Sequence, residues 1–456
     1  MAQPDFDLVV AGAGGGVVGA LRAAELGARV LLIDADEHFH RGNNTSMCTA
    51  MIPAPGTRWQ QAAGVEDSRE QFVADIMDKT HQTADATLAD ALAAVGAPLV
   101  TWLADSQGLE PELVREFRYP GHSADRCHTF TGRHGSHLLR HLVESARRQP
   151  NIELITPMRL IDVTSDGAQV QAAQIANPDG VVEEVSTPAV LLATNGYGAN
   201  RDLVRTWMPE IADAHYHGGQ YSLGDALRIG EALGGKTAFL DAYQGHAALS
   251  SRTQTLVGWA TVLHGGIIVN SQGHRFAPES IGYSEFAALL AQQPGSTGWI
   301  VIDEHIADLC SVFEDFRTVA ENGGVVSADS IEELAAKTSL PVDTLTDQVQ
   351  TASRAASGAA PDPQGRNDSR HPLAPPYRAI QVMPALFHTQ GGLVVDGSAR
   401  VLDADDEPLR GLYASGGAAM GISGHGAAGY LAGNGLIAAL GLAFLAAEDV
   451  ASTLPT

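Results

Sequence analysis

The chain has 456 residues, 45% of them hydrophobic, and a formal net charge of −25 at pH 7. Length admits roughly two or three domains and a large core, while the acidic balance excludes the basic face that nucleic acid or an anionic membrane would want. Three cysteines, Cys48, Cys127 and Cys310, are too scattered for a disulfide framework or a Cys-x-x-Cys motif, which points to a reducing cytoplasm.

The chain runs almost at once into its first strand, residues 7–10, so no signal peptide is expected. Gly12, Gly14, Gly15 and Gly16 follow, then a helix over 17–26 that ends at Gly27, a buried strand over 28–33, and Asp34-Ala35. Such glycines let backbone approach a pyrophosphate, whose charge sits against free N–H groups at the helix start. Asp34 stands where a carboxylate accepts hydrogen bonds from a ribose. The third glycine position of the usual motif holds Val17, with Gly19 close behind, and the flanking strands and acid support a dinucleotide site.

Residues 38–46 read as a polar loop suited to lie against a cofactor, and 68–103 as helical. The segment 118–137 carries His122, His128, His134, His137 and Cys127. No second cluster completes a ligand set, so a polar loop facing cofactor or substrate is expected there, without metal. A helix is expected from 138 to 147, and short strands over 151–157, 159–164, 169–175, 181–186 and 188–194, the last running into Asn195-Gly196. Composition shifts near 221: a helix over 224–233, segments around His246 and His264, strands at 267–270 and 299–303, and acidic helices over 330–337 and 343–355. Residues 357–376 are the clearest loop, followed by strands at 379–383, 392–395 and 412–414. A glycine-dense stretch, 416–435, leads into an apolar run, 436–447, that is too short to span a bilayer and reads as a buried helix.

Several segments in order resemble the flavoprotein subunit family of fumarate reductases and succinate dehydrogenases, which includes ketosteroid dehydrogenases. They are the Gly12–Asp34 unit, Gly42-Asn43-Asn44-Thr45-Ser46, Ser123-x-x-Arg126-x-His128, Ala193-Thr194-Asn195-Gly196, the turn before Arg275-Phe276, His388-Thr389-Gln390-Gly391-Gly392, and Gly416-Gly417 with Gly433-Asn434-Gly435. The resemblance covers nearly the whole chain. It implies an α/β fold: a Rossmann-like FAD-binding domain from both chain ends (residues 1–243 and 387–456) with an inserted α+β capping domain (244–386). It also implies FAD held by these segments, non-covalently, since Asn44 stands where membrane-bound relatives place the linking histidine. Asn434 would open a helix whose positive end faces the flavin. The glutamate that relatives often place late in the chain is Gly417 here.

The same resemblance implies hydride transfer at a carbon next to a carbonyl or carboxylate, with a proton moved at the neighbouring carbon. His388 matches a substrate-binding histidine, and His246 lies near a second. The carboxylate-clamping arginines are replaced by Val262 and Tyr430, unless Arg126, Arg133 or Arg275 substitutes; an ion pair with Glu279 is the expected role of Arg275. Tyr430 resembles the ketone-polarising tyrosine of ketosteroid dehydrogenases, with Tyr119 or Tyr283 as its partner for the proton. The expected enzyme therefore acts on a carbon–carbon bond beside a ketone, with a small unsaturated acid, or flavin binding without catalysis, as alternatives. A nicotinamide-only dehydrogenase is the alternative outside this family. The other partner of the expected FAD enzyme is an electron donor or acceptor that the sequence leaves unidentified.

Overall fold

In the computed structural model, which describes residues 3–167, 169–366 and 371–454, strand Leu8–Ala11 lies inside a six-stranded sheet. The order is Arg400–Leu402, Pro408–Ala414, Val190–Leu192, Leu8–Ala11, Val30–Ile33, Ile152–Ile155, parallel except for the first edge strand. Every residue of Leu8–Ala11, Val30–Ile33 and Val190–Leu192 is buried, as parallel strands covered on both faces require. Pro408–Ala414 pairs with Val190–Leu192, so the end of the chain completes the sheet that its beginning opens.

Helix Gly16–Glu25 crosses between the first two strands, and helix Asn434–Ser452 packs along it. A Cβ on Gly19 would lie 2.9 Å from the Ala443 carbonyl oxygen, so the close approach needs glycine. Arg22 Nη2 reaches Glu448 Oε1 at 2.7 Å across the same seam. The last helix, at 19 residues, is longer than the expected 436–447. It and Ala86–Asp105 are long and apolar enough to cross a membrane by length and composition alone. Both are core helices here: Trp102 meets Phe444 edge to face at 5.5 Å.

A second six-stranded sheet is built on the 13-residue strand Tyr377–Thr389. Gly298–Asp303, Val325–Ala328 and Tyr243–Ser250 pair with it antiparallel, and His215–Tyr216 parallel. Only 379–383 is apolar enough to signal a strand; the pairing partners extend it in both directions, through residue 386 and on to His388. Each sheet has its own hydrophobic cluster. The ladder between Tyr243–Ser250 and Tyr377–Thr389 is irregular at Gln244/Gly245 and after His246. Such bulges re-aim side chains, and both Gln244 and His246 face the cavity between the two sheets.

Three expectations are corrected. The polar stretch 38–46 is not a loop but two single helical turns, Phe39–Gly42, which no side chain caps, and Asn44–Met47, which a reciprocal capping box between Asn43 and Ser46 starts. Segment 118–137 contains a buried strand, Cys127–Phe130, between Ile52–Pro53 and Pro111–Leu113, and its helix begins at Gly135 because His134 caps it. The helical stretch 68–103 is two helices, Arg69–Lys79 and Ala86–Asp105, each started by its own cap, Ser68 and Asp85. The expected loop 357–376 falls partly outside the described residues.

Candidate functional site

One continuous cavity runs from the carboxyl ends of the parallel strands to the second sheet. At its first end Gly12 turns the chain out of strand Leu8–Ala11 with φ +103°, and a Cβ there would lie 2.2 Å from the Ala193 carbonyl oxygen. Helix Gly16–Glu25 starts without a side-chain cap, and Gly12, Gly14 and Gly15 line the cavity at its mouth. An uncapped helix start behind a glycine turn is the anion-binding arrangement of phosphate sites. Asp34 accepts from the backbone N–H groups of Ala13 at 2.7 Å and Asp36 at 2.9 Å. Burial nevertheless pushes its carboxyl up to about 6.

Asn44 joins the two sheets at the middle of the cavity. Its Nδ2 donates to the Phe387 carbonyl at 2.7 Å, while Oδ1 accepts from Asn195 Nδ2 at 2.8 Å and Gly219 N at 3.0 Å. Ala35, Asn43, Thr45, Ala193, Thr194, Gly416, Gly417, Gly433 and Gly435 line the same wall. Three buried groups on it, Asn43 Nδ2, Thr194 Oγ1 and Ser415 Oγ, have no partner within the protein. Buried polar groups ordinarily do. With the helix start and Asp34 they fit FAD, which offers acceptors and hydroxyls along such a wall.

Four residues expected on that wall do not line the cavity. Gly16 packs against strand Leu8–Ala11, where a Cβ would meet Val10 Cγ1 at 2.6 Å, and Gly196 against Thr389, whose Oγ1 would lie 1.8 Å from one. Ser46 is held in the capping box. Asn434 turns its Nδ2 to Ser423 Oγ at 3.3 Å and leaves its Oδ1 buried without a partner in the protein.

The other end of the cavity is aromatic. Tyr119, His246, Tyr283, His388 and Tyr430 all line it, brought together from five separate segments. His246 stacks on Tyr283 at 4.6 Å and on Phe387 at 5.2 Å; Tyr283 meets Tyr119 at 6.2 Å and Tyr430 at 5.8 Å. Tyr430 accepts from Gly435 N–H at 3.4 Å. Burial raises both phenols far above the usual range, so they are neutral donors. Burial also lowers His246 to about 3 and His388 to about 4, leaving both imidazoles neutral at pH 7. The His246 Nδ1 accepts from Ala248 N–H at 3.0 Å, which puts the ring proton on Nε2.

The arginines are engaged elsewhere. Arg126, fully buried, is bidentate to Asp67 and also pairs with Asp75. Arg275 is bidentate to Glu279 at 2.6 and 2.9 Å, the ion pair expected of it, and reaches Asp362 at 2.9 Å. Arg133 lines the cavity and donates to Glu116 at 2.6 Å. The histidines of segment 118–137 have structural partners: His122 with the Ala432 carbonyl, His128 with Thr57 and Arg126, and His134 with Ser136. His137 reaches Glu314 at 3.4 Å. Among the described residues no group of three or more His, Cys, Asp or Glu is placed to hold a metal ion.

Sequence reasoning missed His217, Gln244, Trp259 and Gln390 on the cavity wall. Gln390 sits inside the glycine-flanked His388 segment, a signal that was legible. Trp259 and Gln244 reach the cavity through strand irregularity and tertiary packing, which leave no local motif.

The family described as FAD binding domain matches residues 7–436. NADH:fumarate oxidoreductase of Klebsiella pneumoniae (strain 342) is 27% identical over 430 residues, covering 93% of this chain; the chain spans only 45% of that relative. The open conformation of a flavocytochrome c3 fumarate reductase superposes with a TM-score of 0.79 at 26% identity, covering 98% of this chain and 79% of the other. The fold of 3-ketosteroid-delta4-(5alpha)-dehydrogenase from Rhodococcus jostii RHA1 matches with a TM-score of 0.74 at 24% identity, covering 99% of this chain and 98% of the other.

Proposed function

We propose that this chain, which belongs to the FAD binding domain family, is an FAD-dependent oxidoreductase acting on carbon–carbon bonds, and that its substrate is an uncharged ketone, dehydrogenated or reduced at the bond next to the carbonyl. One observation carries this reading. Among the described residues lining the cavity, the arginines are paired with carboxylates, Arg133 with Glu116 and Arg159 with Asp225, while the substrate end presents neutral tyrosines and histidines. A carboxylate brought there would lose its hydration without a guanidinium fork to replace it. A ketone needs only neutral donors.

FAD, when bound, supplies hydride transfer at its flavin N5. Tyr430, whose oxygen accepts from Gly435 N–H, keeps its own proton free to donate to the ketone oxygen. His388, 6.0 Å away ring to ring, is the second polarising group. Tyr283, edge-on to both Tyr430 and Tyr119, holds or passes the proton at the carbon next to the carbonyl. His246, carrying its proton on Nε2, orients the substrate from the capping side.

In this reading residues 1–243 and 387–456 form the FAD-binding unit and 244–386 the cap. FAD is held non-covalently, the site uses no metal, and the enzyme works in the cytoplasm with a separate electron donor or acceptor, bound neither to nucleic acid nor across a membrane. The identity with NADH:fumarate oxidoreductase favours a second reading, a reductase of a small unsaturated acid. Anaerobic titration separates the two. Cyclic ketones are expected to bleach the flavin absorbance, or their enones to restore it in the reduced protein, with succinate and fumarate inert; the reverse pattern overturns the ketone reading.

A further inference from the structure

We propose that Gln390, Ser423 and Asn434 are a positioning chain that keeps the Nδ1 of His388 unprotonated, so that its Nε2–H faces the substrate carbonyl. The three side chains lie behind His388 in one line. Asn434 Nδ2 donates to Ser423 Oγ at 3.3 Å, Ser423 Oγ donates to Gln390 Oε1 at 2.9 Å, and Gln390 Nε2 lies 3.0 Å from His388 Nδ1. They are 0%, 1% and 4% exposed, so bulk water does not offer any of them a substitute partner.

The direction of the line is part of the proposal: it starts from the Asn434 amide with Nδ2 toward Ser423, which leaves Asn434 Oδ1 buried and unpartnered within the protein, and the remaining donors follow from it. A serine hydroxyl has one proton. With the Asn434 amide donating to its oxygen, Ser423 spends that proton on Gln390 Oε1, which turns the Gln390 NH2 group toward His388. The backbone holds Gln390 in this pose: its N–H donates to the Ala242 carbonyl and its own carbonyl accepts from Gly421 N–H, each at 2.7 Å. His388 Nδ1 is also 3.1 Å from the Thr389 carbonyl oxygen. A proton placed on Nδ1 to serve that carbonyl would face the amide hydrogens of Gln390, so Gln390 works against the tautomer that Thr389 favours.

On the other side of the ring, a Cβ on Gly435 would lie 2.7 Å from His388 Nε2 and 3.5 Å from the Tyr430 hydroxyl. The two polar tips therefore converge on one point at the start of helix Asn434–Ser452. Two neutral donors meeting there form an oxyanion site, whereas an Nε2 lone pair would repel a ketone oxygen. The target of the donor rests on the ketone reading above; the tautomer does not.

The test is the nitrogen-15 spectrum of the FAD-loaded protein labelled at histidine, with His388→Gln to assign the resonance. The expected wild-type signal has its proton on Nε2 and a bare Nδ1. In Gln390→Met, where the Thr389 carbonyl no longer competes with an amide donor, the proton should move to Nδ1. With a ketone substrate, kcat should then fall about tenfold or more, with KM changed less. Ser423→Ala, a milder change, should give a mixture of tautomers. A wild-type Nδ1–H signal, or a tautomer unmoved in both variants, overturns the proposal. Ketones that fail to turn over while Nε2–H is observed overturn the substrate reading and leave the positioning chain standing.

Discussion

The two ends of the cavity are held by different physics. At the nucleotide end, backbone does most of the binding: the turn at Gly12, an uncapped helix start, and a carboxylate pinned by two N–H groups. At the substrate end, Tyr119, His246, Tyr283, His388 and Tyr430 come from five separate segments and meet only through tertiary packing. Asp34 still titrates, near 6, whereas burial has made the substrate end neutral at physiological pH, with its histidines pushed down to about 3 and 4 and its tyrosines pushed up. One end is thus built for a fixed anionic cofactor, the other for dipoles.

Removing one donor from the neutral end should have the largest effect. Tyr430→Phe keeps the ring contacts with Tyr283 and His388 and deletes the hydroxyl that Gly435 supports. We expect kcat with a ketone to fall by about 10² to 10³, with flavin absorbance retained in the purified protein. A loss of FAD instead would mean the two ends are less separate than they look. Comparable in free energy, but read in stability, is Arg126→Met. Removing the guanidinium leaves the Asp67 and Asp75 carboxylates without the cation they share. Breaking a buried ion cluster from one side costs about 3–5 kcal/mol, to be measured by urea unfolding.

That contrast also explains what was legible in the sequence. The nucleotide end is a local pattern: a strand, a glycine turn, a helix, a second strand and an acid, all within residues 7–34, and its elements fall within a few residues of where periodicity places them. The parallel sheet and the contribution of the last helix followed once the late glycines were recognised. The substrate end had no such pattern. Tyr430 and His388 stood in recognisable glycine-flanked segments, yet Trp259 and Gln244 gave no sign, because bulges and sheet packing aim them. Where local reading failed near the cofactor, as at Ser46, a capping box had converted part of an apparent loop into a helical turn.

Asp34→Asn probes the nucleotide end at an intermediate scale. A hydrogen bond to a charged group contributes about 1.5–3 kcal/mol, so FAD should bind about 10- to 100-fold more weakly. The pH dependence has a definite sign. The folded carboxyl sits near 6, above its unfolded value of 3.8, so in the cofactor-free protein its contribution to stability is full below 3.8 and is lost as pH rises through 6. Ribose hydroxyls donate to the ionised form, so FAD affinity should rise from pH 5 to 7 and level off above, while Asp34→Asn stays flat. Fluorescence titration of the apoprotein checks both.

The smallest effect is expected at Ser46, and it sharpens the boundary of the nucleotide end. Its hydroxyl accepts from Asn43 N–H at 3.2 Å and donates to the Asn43 carbonyl at 2.8 Å, while Asn43 Oδ1 accepts from Ser46 N–H at 2.8 Å. That exchange orients the Asn43 amide and leaves Nδ2 unpartnered toward the cavity. Ser46→Ala should therefore cost about 1 kcal/mol of stability, seen in thermal unfolding, and weaken FAD binding less than Asp34→Asn, since no cofactor contact is lost. Asn43→Ala removes the cap and the free donor together, and should lower both. Equal losses of FAD affinity in Ser46→Ala and Asn43→Ala would place the serine hydroxyl on the cofactor after all.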